Sequence, residues 1–275
     1  MREAWGGTNS FEAVQTLTDE EWAQKQAADL NAMEGNENLY DGYDCPKCKN
    51  RTWLYVARGT TYTQTECECQ IARRSIRRMM NSGLGNIIAK YTFPLYKAED
   101  DWQITLKEAA MNFTKAEPGK WFFIGGASGA GKSHLCTAIC RNLLTTKDVQ
   151  YMMWEDECPE LKGLVLDAEA YQNRMIRLKN VDVLYIDDFF SGKKERANEM
   201  AMPSFADVRL AREILNHRYV NGKTTIISSE WYSFEIYDID AALGGRIIER
   251  AGSYALNIKR EKEKNYRLKM GGGFI

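Results

Sequence analysis

Short apolar runs alternate with amphipathic segments through the second half of the chain. Five runs rich in β-branched, aromatic and aliphatic residues have the length of strands, at 121–125, 149–154, 183–186, 224–228 and 254–258. Segments with apolar side chains at helical spacing lie between them, at 132–145, 160–179, 205–220 and 240–251. This alternation predicts an α/β fold in which a mostly parallel five-stranded sheet lies between helices.

The chain before residue 121 has a different pattern. Thr18 to Glu21 form a capping-box sequence, which predicts a short acidic helix that ends near Met33. Residues 53–56 predict a strand, and residues 102–116 predict a second helix. Nothing here matches the strand–helix alternation that follows, so we expect a separate N-terminal part.

A basic stretch lies between this N-terminal part and the alternating region. Four arginines between residues 72 and 78 have the spacing of a solvated helix face, although they could also contact phosphates. Gly83 and Gly85 mark a break after it. We interpret the stretch as an exposed helix that leads into a linker.

Composition narrows the choice of function. The chain has 275 residues, 44% of them hydrophobic, and a formal net charge of −1. Any contact with nucleic acid must therefore come from local basic patches and not from bulk charge. The chain has no apolar run long enough to span a bilayer and no signal-peptide pattern at its start. We expect a cytoplasmic protein with no membrane partner.

Residues 126–133 match the phosphate-binding loop G-x-x-x-x-G-K-[ST] in full, with an apolar strand before the loop and a helix after it. The glycines allow backbone N–H groups to approach phosphates, and the helix N-terminus adds a partial positive charge. Lys132 can reach the β- and γ-phosphates of ATP, and Ser133 can bind Mg²⁺. The predicted nucleotide-binding positions are Gly126, Ala127, Ser128, Gly129, Ala130, Gly131, Lys132, Ser133 and, without a chemical role of its own, His134.

Carboxylates follow two of the predicted strands. Asp187 and Asp188 end the strand at 183–186, where an acid can hold the magnesium ion through its water shell, and we assign this role to Asp187. Asp188 could polarise the attacking water or simply cap the following loop. Glu230 follows the strand at 224–228 after one intervening serine, at a point where a polar side chain could contact the γ-phosphate or that water.

Two arginines, Arg246 and Arg250, lie four positions apart on one face of a predicted helix. A guanidinium offers a fixed fork of donors that suits a phosphate at a junction between subunits. Pairing with Glu249 or with other nearby acids explains the pattern equally well.

Four of the seven cysteines form two close pairs, Cys45/Cys48 and Cys67/Cys69. Thiolates at such spacing can converge on one tetrahedral Zn²⁺, which would be structural because no coordination position stays open. A redox motif would need a helix start beside a βαβ unit, which this region lacks. Cys136 and Cys140 fall on one face of the helix after the phosphate loop and are expected to be buried thiols.

These patterns divide the chain into three expected domains. They are an N-terminal helical arm at 1–44, a zinc-binding module with the basic helix at 45–90, and an ATPase domain at 91–275.

The motifs GASGAGKSHL, VLYIDDFF, TTIISSE and GRIIERA, in this order and behind a C-x-x-C/C-x-C module, resemble the DnaC/DnaI-type replicative helicase loaders, above all their phage and prophage versions. The likeness extends from about residue 45 to residue 268. It implies an AAA+ P-loop NTPase core without a helical lid. IstB-type transposition ATPases share this core.

The resemblance also implies roles for individual residues. Lys132, Asp187 and Asp188 would be catalytic, although AAA+ proteins usually have a glutamate at the position of Asp188. Glu230 stands where many relatives have the sensor-1 asparagine. Arg246 and Arg250 match the box-VII arginines, one of which acts on the ATP of a neighbouring subunit, and we favour Arg250.

A loading mechanism follows from the resemblance as a hypothesis. The N-terminal part would bind a hexameric replicative helicase, while the ATPase cores assemble with ATP into an open spiral on single-stranded DNA. Lys162 and Arg174 are candidates for strand contact. Three alternatives remain: an IstB-like regulator of transposition, an adaptor that binds ATP without hydrolysing it, and a small-molecule P-loop kinase, for which the cysteine module and the arginine pair have no use.

Overall fold

The computed structural model describes residues 17–80, 88, 90–191 and 200–266, and the chain forms two compact units, Met1–Cys67 and Glu68–Ile275. The expected domain boundaries at residues 44 and 90 stay predictions. The first sixteen residues of the predicted arm, and the predicted break at Gly83 and Gly85, lie outside the described residues.

The first unit combines a helix with a β-hairpin. Helix α1 (Asp19–Ala32) begins with the predicted capping box, in which Thr18 Oγ1 accepts from the Glu21 N–H at 3.3 Å and Glu21 accepts from the Thr18 N–H at 2.8 Å. A short helix, α2, follows at Asn38–Asp41. Strand β1 (Trp53–Arg58) then pairs antiparallel with β2 (Thr61–Glu66), a strand that the sequence analysis did not predict.

Packing of α1 on the hairpin holds this unit together. Ala23 and Ala27 are buried, because small side chains let the helix approach the strands closely. The side-chain amide of Asn31 makes two hydrogen bonds to the backbone of β1. It donates to the Tyr55 carbonyl at 2.7 Å and accepts from the Tyr55 N–H at 2.9 Å. These bonds satisfy backbone groups of β1 that pairing with β2 leaves open.

The second unit contains the predicted five-stranded parallel sheet. Its strands are β3 (Trp121–Gly126), β4 (Val149–Met153), β5 (Val183–Asp187), β6 (Thr224–Ser229) and β7 (Ala255–Ile258). They lie in the order β4-β5-β6-β3-β7, and every neighbouring pair is parallel. All residues of β3 and β5 are buried, which is why these segments are continuously apolar and do not alternate.

The helices of the second unit are α3 (Cys69–Met79), α4 (Asp101–Phe113), α5 (Lys132–Leu143), α6 (Trp154–Gly163), α7 (Ala168–Asn180), α8 (Phe205–Val220), α9 (Ser233–Ile239) and α10 (Ala241–Ala251). The region predicted as one helix at 160–179 is instead two helices, with a 3₁₀ turn at Leu164–Leu166 between them. Helix α9 was not predicted. No helix in the described ranges has both the length and the apolar character that crossing a bilayer requires.

Helix α3 corrects the interpretation of the basic stretch. Arg73 is fully buried, and the Ser75 hydroxyl lies between α3 and β4, donating to Asp148 at 2.6 Å and accepting from the Val149 N–H at 2.8 Å. The helix is therefore packed against the edge of the sheet and not solvated all along its basic face. Arg74 and Arg77 remain exposed.

Arg218 fixes the end of the sheet away from the phosphate loop. Its guanidinium is buried and donates to the carbonyls of Leu178 and Val181, both at 2.9 Å, and its Nε donates to Thr225 Oγ1 at 3.0 Å. Burial lowers the pKa of Arg218 to about 9. One side chain thus satisfies the C-terminal carbonyls of α7 and joins α8 to β6.

Candidate functional site

The predicted phosphate loop runs from the end of β3 to the start of α5. Gly126, Gly129 and Gly131 all have positive φ, of 107°, 72° and 85°, which side chains other than glycine rarely adopt. At Gly126 there is also no room for a side chain, since a Cβ would lie 2.0 Å from the carbonyl oxygen of Ile258. The glycines are therefore required by the backbone shape that turns N–H groups toward a phosphate.

Lys132 lies inside the loop at the first position of α5. It is buried, and its Nζ donates to the carbonyls of Gly126 at 3.1 Å and Ala127 at 2.8 Å. Burial lowers its pKa, although the nearby carboxylates of Asp188 and Glu230 act in the opposite direction. Because the hydrogen bonds given for this ammonium within the described residues go to neutral carbonyl oxygens, it is well suited to bind an anion.

Asp187, at the end of β5, accepts hydrogen bonds from three different elements. Ser133 of α5 donates to Oδ1 at 3.0 Å, Ser228 of β6 donates to the same oxygen, and the Tyr151 hydroxyl of β4 donates to Oδ2 at 3.3 Å. Asp187 is 3% exposed. The contact between Ser133 and Asp187 brings together the hydroxyl and the carboxylate that a loop of this type uses for Mg²⁺, so the donor set fits that ion.

Asp188 follows in an unusual backbone conformation. Its φ is 50°, and that of Phe190 is 61°, so the chain turns sharply directly after β5. Aspartate tolerates this region better than most residues, whereas for phenylalanine it is strained. Burial, and next the charge of Asp187, raise the pKa of Asp188 to about 6.

A cavity of about 370 Å³ surrounds these groups. It brings together Lys132, Ser133, Asp188 and Glu230, and the sequence-predicted loop positions Ser128 to Gly131 and His134 also line it. Six further lining residues come from outside the known motifs and were not predicted from the sequence. They are Tyr91, Leu95, Tyr96, Lys97, Gln103 and Tyr266.

His134 has a structural position between two of these tyrosines. Its ring stacks on Tyr91 with centroids 4.7 Å apart, meets Tyr96 edge-on at 5.2 Å, and has Nε2 2.8 Å from the Thr92 carbonyl oxygen. Burial lowers the pKa of His134. The Tyr96 hydroxyl is buried without a hydrogen-bond partner in the described part of the chain, and burial raises its pKa to about 12.

The arginine pair of α10 lies against one aromatic ring. The guanidinium carbons of Arg246 and Arg250 are 5.5 Å and 4.6 Å from the centroid of Tyr219, and Arg250 donates to the Tyr219 carbonyl at 2.8 Å. Glu249 accepts from the Tyr219 hydroxyl at 3.0 Å. Neither arginine is among the residues that line the phosphate cavity of its own chain.

The two candidates for strand contact are both held by acids. Lys162 lies 2.5 Å from Asp207, and Arg174 lies 2.5 Å from Glu157. Arg174 also lines a cavity of about 710 Å³, larger than the one at the phosphate loop. Four carboxylates but only two arginines line that cavity, and this net negative charge does not suit a phosphate backbone. The carboxylates are those of Glu155, Asp156, Glu157 and Glu160, and the arginines are Arg174 and Arg177.

The four N-terminal cysteines come together as predicted. The Sγ atoms of Cys45, Cys48, Cys67 and Cys69 all lie within 4.8 Å of one another, and all four residues are buried. The sulfurs of Cys45 and Cys67 are 3.9 Å apart, too far for a disulfide and close to the roughly 3.8 Å edge that tetrahedral Zn–S bonds imply. The cluster therefore fits a zinc ion. Cys136 and Cys140 are fully buried thiols, as expected.

Comparison with known proteins places the phosphate loop in a recognised sequence family. The family described as the bacterial DnaA ATPase domain matches residues 89–249. This range contains the loop, Asp187, Asp188, Glu230 and Arg246.

Two relatives from Bacillus subtilis (strain 168) match over most of their length. The phage-like element PBSX protein XkdC is 31% identical over 241 residues, which is 82% of this chain and 86% of that protein. The uncharacterized protein YqaM is 29% identical over 264 residues, 91% of this chain and 80% of that protein. Among solved structures, the DnaC helicase loader matches 63% of this chain and 98% of its own, with 21% identity and a TM-score of 0.49.

Zinc content provides a direct test of the cysteine cluster. We expect roughly one zinc per chain after purification, and little in Cys67→Ser, because three thiolates cannot close the tetrahedral site. Cys158→Ser is the matched control, since Cys158 is a buried thiol outside the cluster and should leave the zinc content unchanged. Metal analysis that finds no zinc in the wild-type chain, or equal zinc in both variants, would contradict the assignment.

The raised pKa of Asp188 predicts a stabilising substitution. The folded chain binds this proton more tightly than the unfolded chain, whose carboxyl has its ordinary value of 3.8, so stability falls as pH rises from about 4 to about 6. Asp188→Asn removes the buried charge and should stabilise the fold by about 3 kcal/mol at pH 7.5 in urea titrations. The gain should disappear near pH 4. Asp156→Asn, at an exposed position, should change stability little at either pH.

Proposed function

The chain belongs to the family of the bacterial DnaA ATPase domain, and we propose that it hydrolyses ATP to load a hexameric replicative DNA helicase onto single-stranded DNA. ATP hydrolysis is supported by two contacts. Lys132 bonds to the backbone of the glycine-rich loop, and Ser133 bonds to Asp187 at the end of the neighbouring strand. Helicase loading is supported by the cysteine module that precedes an AAA+ core of this type.

The residues of the loop support nucleotide binding in a defined way. Lys132 and the loop N–H groups would hold the phosphates, while Ser133 and Asp187 would hold Mg²⁺, which neutralises phosphate charge during transfer. Tyr96 has a buried hydroxyl with no partner in the described ranges, and it lines the same cavity, so it is suited to bond a polar atom of the nucleotide.

Asp188 is the proposed general base. With a pKa of about 6 it is mostly ionised at neutral pH, yet basic enough to accept a proton from an attacking water. Glu230 lines the same cavity and would orient that water or sense the γ-phosphate. Hydrolysis by Asp188 should therefore slow as the pH falls through 6.

The first unit is the proposed helicase-binding part. Leu39 and Tyr40 on α2 are 80% and 67% exposed, and Trp22 on α1 is 48% exposed. Several large apolar groups exposed in so small a unit favour a protein partner. A zinc-held fold would present them on a rigid surface.

Arg250 and Arg246 are proposed to act between subunits. Neither is among the residues that line the phosphate cavity of its own chain, and both guanidinium groups lie over the Tyr219 ring, which favours a defined orientation. In an ATP-dependent assembly, Arg250 would reach the phosphates of the neighbouring chain. Lys162 and Arg174 are engaged with acids, so we do not propose them as contacts to single-stranded DNA.

A non-hydrolysing adaptor is the second candidate. Asp188 is one methylene shorter than the glutamate that AAA+ proteins usually have, and its strained turn fixes where the carboxylate can reach. In such an adaptor ATP would order the assembly without turnover. ATP hydrolysis above background that Asp187→Asn abolishes would exclude this reading.

The loading proposal is tested by mixing the chain with the replicative helicase of its host and measuring complex mass by light scattering, with and without ATP and Mg²⁺. We expect an ATP-sensitive complex that the double change Leu39→Ser and Tyr40→Ser weakens at least about tenfold, the loss of a small interface hot spot. The matched control is Val165→Ser with Leu166→Ser, at two exposed apolar positions of the second unit.

No complex in any nucleotide state would contradict helicase loading. If duplex DNA then stimulated ATP turnover, the transposition-type ATPase would be the better account. A complex that the control change weakens as much as the test change would refute the assignment of α2.

A further inference from the structure

The chain after β7 continues along the wall of the phosphate cavity. We call Lys259–Tyr266 the strap. At its start, the Ile258 carbonyl accepts from the Ala127 N–H at 3.1 Å, and at its end the Tyr266 N–H donates to the Gly129 carbonyl at 3.0 Å. Packing there is close, since a Cβ on Gly129 would lie 2.1 Å from Asn265 Oδ1. The strap therefore contacts the phosphate loop directly.

One arginine fixes the strap near its beginning. Arg260 makes a two-pronged pair with Glu235 of α9, in which Nη1 donates at 2.7 Å and Nη2 donates to the second oxygen. Its guanidinium stacks on the Tyr232 ring at 4.0 Å, and its backbone N–H donates to the Tyr232 hydroxyl at 2.9 Å. A bidentate and stacked arginine is held more firmly than an ordinary surface charge.

The same arginine also contacts a residue that lines the cavity. Arg260 Nη2 donates to the carbonyl of Glu230 at 2.7 Å, and Glu230 lines the cavity together with Gly129 and Tyr266. The strap thus contacts position 230 through Arg260 and the phosphate loop through Tyr266. Nothing in the motifs of the loop requires this connection.

The pKa shifts of Arg260 and Glu235 agree with their pairing. The hydrogen bonds with Glu235 raise the pKa of Arg260. Partial burial opposes ionisation of Glu235, but the bonds from Arg260 and from the Tyr232 N–H outweigh it and lower the pKa of that carboxyl. Both groups stay charged over the whole neutral range.

We propose that Arg260 and Glu235 form a clasp that holds the strap against the phosphate loop and so sets how long a nucleotide remains bound. The proposal rests on the proposed nucleotide binding. With the clasp closed, Tyr266 keeps Gly129 in its loop conformation; with the clasp open, the loop loses that support and releases its ligand sooner. Arg260 is a positioning residue, because it acts through the strap and Glu230.

The test is the release rate of N-methylanthraniloyl-ADP from the full chain with Mg²⁺, chased with unlabelled ADP. We expect Arg260→Ala and Glu235→Gln to speed release at least about fivefold, with little change in the association rate. Arg260→Lys should restore part of the retention, since it keeps the charge but not the two-pronged geometry. Lys262→Ala, at an exposed basic position of the strap, is the matched control.

Salt separates the clasp from a general loss of structure. High salt should speed release more in the wild-type chain than in Arg260→Ala, because both lose phosphate contacts to screening but only the wild-type chain has the pair to lose. Release rates within twofold of wild type in both Arg260→Ala and Glu235→Gln would overturn the clasp alone. A wild-type chain that binds no labelled nucleotide would overturn the proposed function together with it.

Discussion

A buried carboxylate with three hydroxyl donors organises the second unit. Asp187 accepts from Ser133, Ser228 and Tyr151, which belong to the helix after β3, to β6 and to β4. A buried charge is tolerated only where such bonds replace its hydration. The requirement therefore fixes the relative positions of three strands and the phosphate loop at the carboxyl edge of the parallel sheet, which is the edge where α/β proteins bind ligands.

The other charged groups of the site lie close to Asp187 at that edge of the sheet. Because Asp187 is fixed, the chain must turn at once, and Asp188 takes a left-handed conformation beside a second negative charge. Lys132 lies in the same small volume, and its buried ammonium is balanced by the carboxylates around it. Tyr266 at the end of the strap adds to the lining of the cavity, so that widely separated parts of the chain build its wall.

The sequence predicted the features that depend on local pattern. The phosphate loop, the strand ends at Asp187 and Glu230, and the cysteine pairs all follow from residue type and spacing. It missed β2, whose Thr and Gln side chains carry no apolar alternation, and α9, which is only seven residues long. It also predicted that Arg73 is exposed to solvent, because spacing alone does not reveal that α3 packs on β4. The tyrosines of the cavity and the Arg260 clasp depend on long-range contacts, which no local signal contains.

The proposed function depends on the binding of a magnesium nucleotide by Lys132, Ser133 and Asp187. Equilibrium titration of the wild-type chain and Lys132→Ala with ATP, with and without Mg²⁺, tests it most directly. We expect the wild-type chain to bind ATP and Mg²⁺ to strengthen this binding. In the variant we expect a loss of affinity of at least about thirtyfold, the size expected for hydrogen bonds to charged phosphates. Equal binding by both chains, or no binding by the wild type, would contradict it.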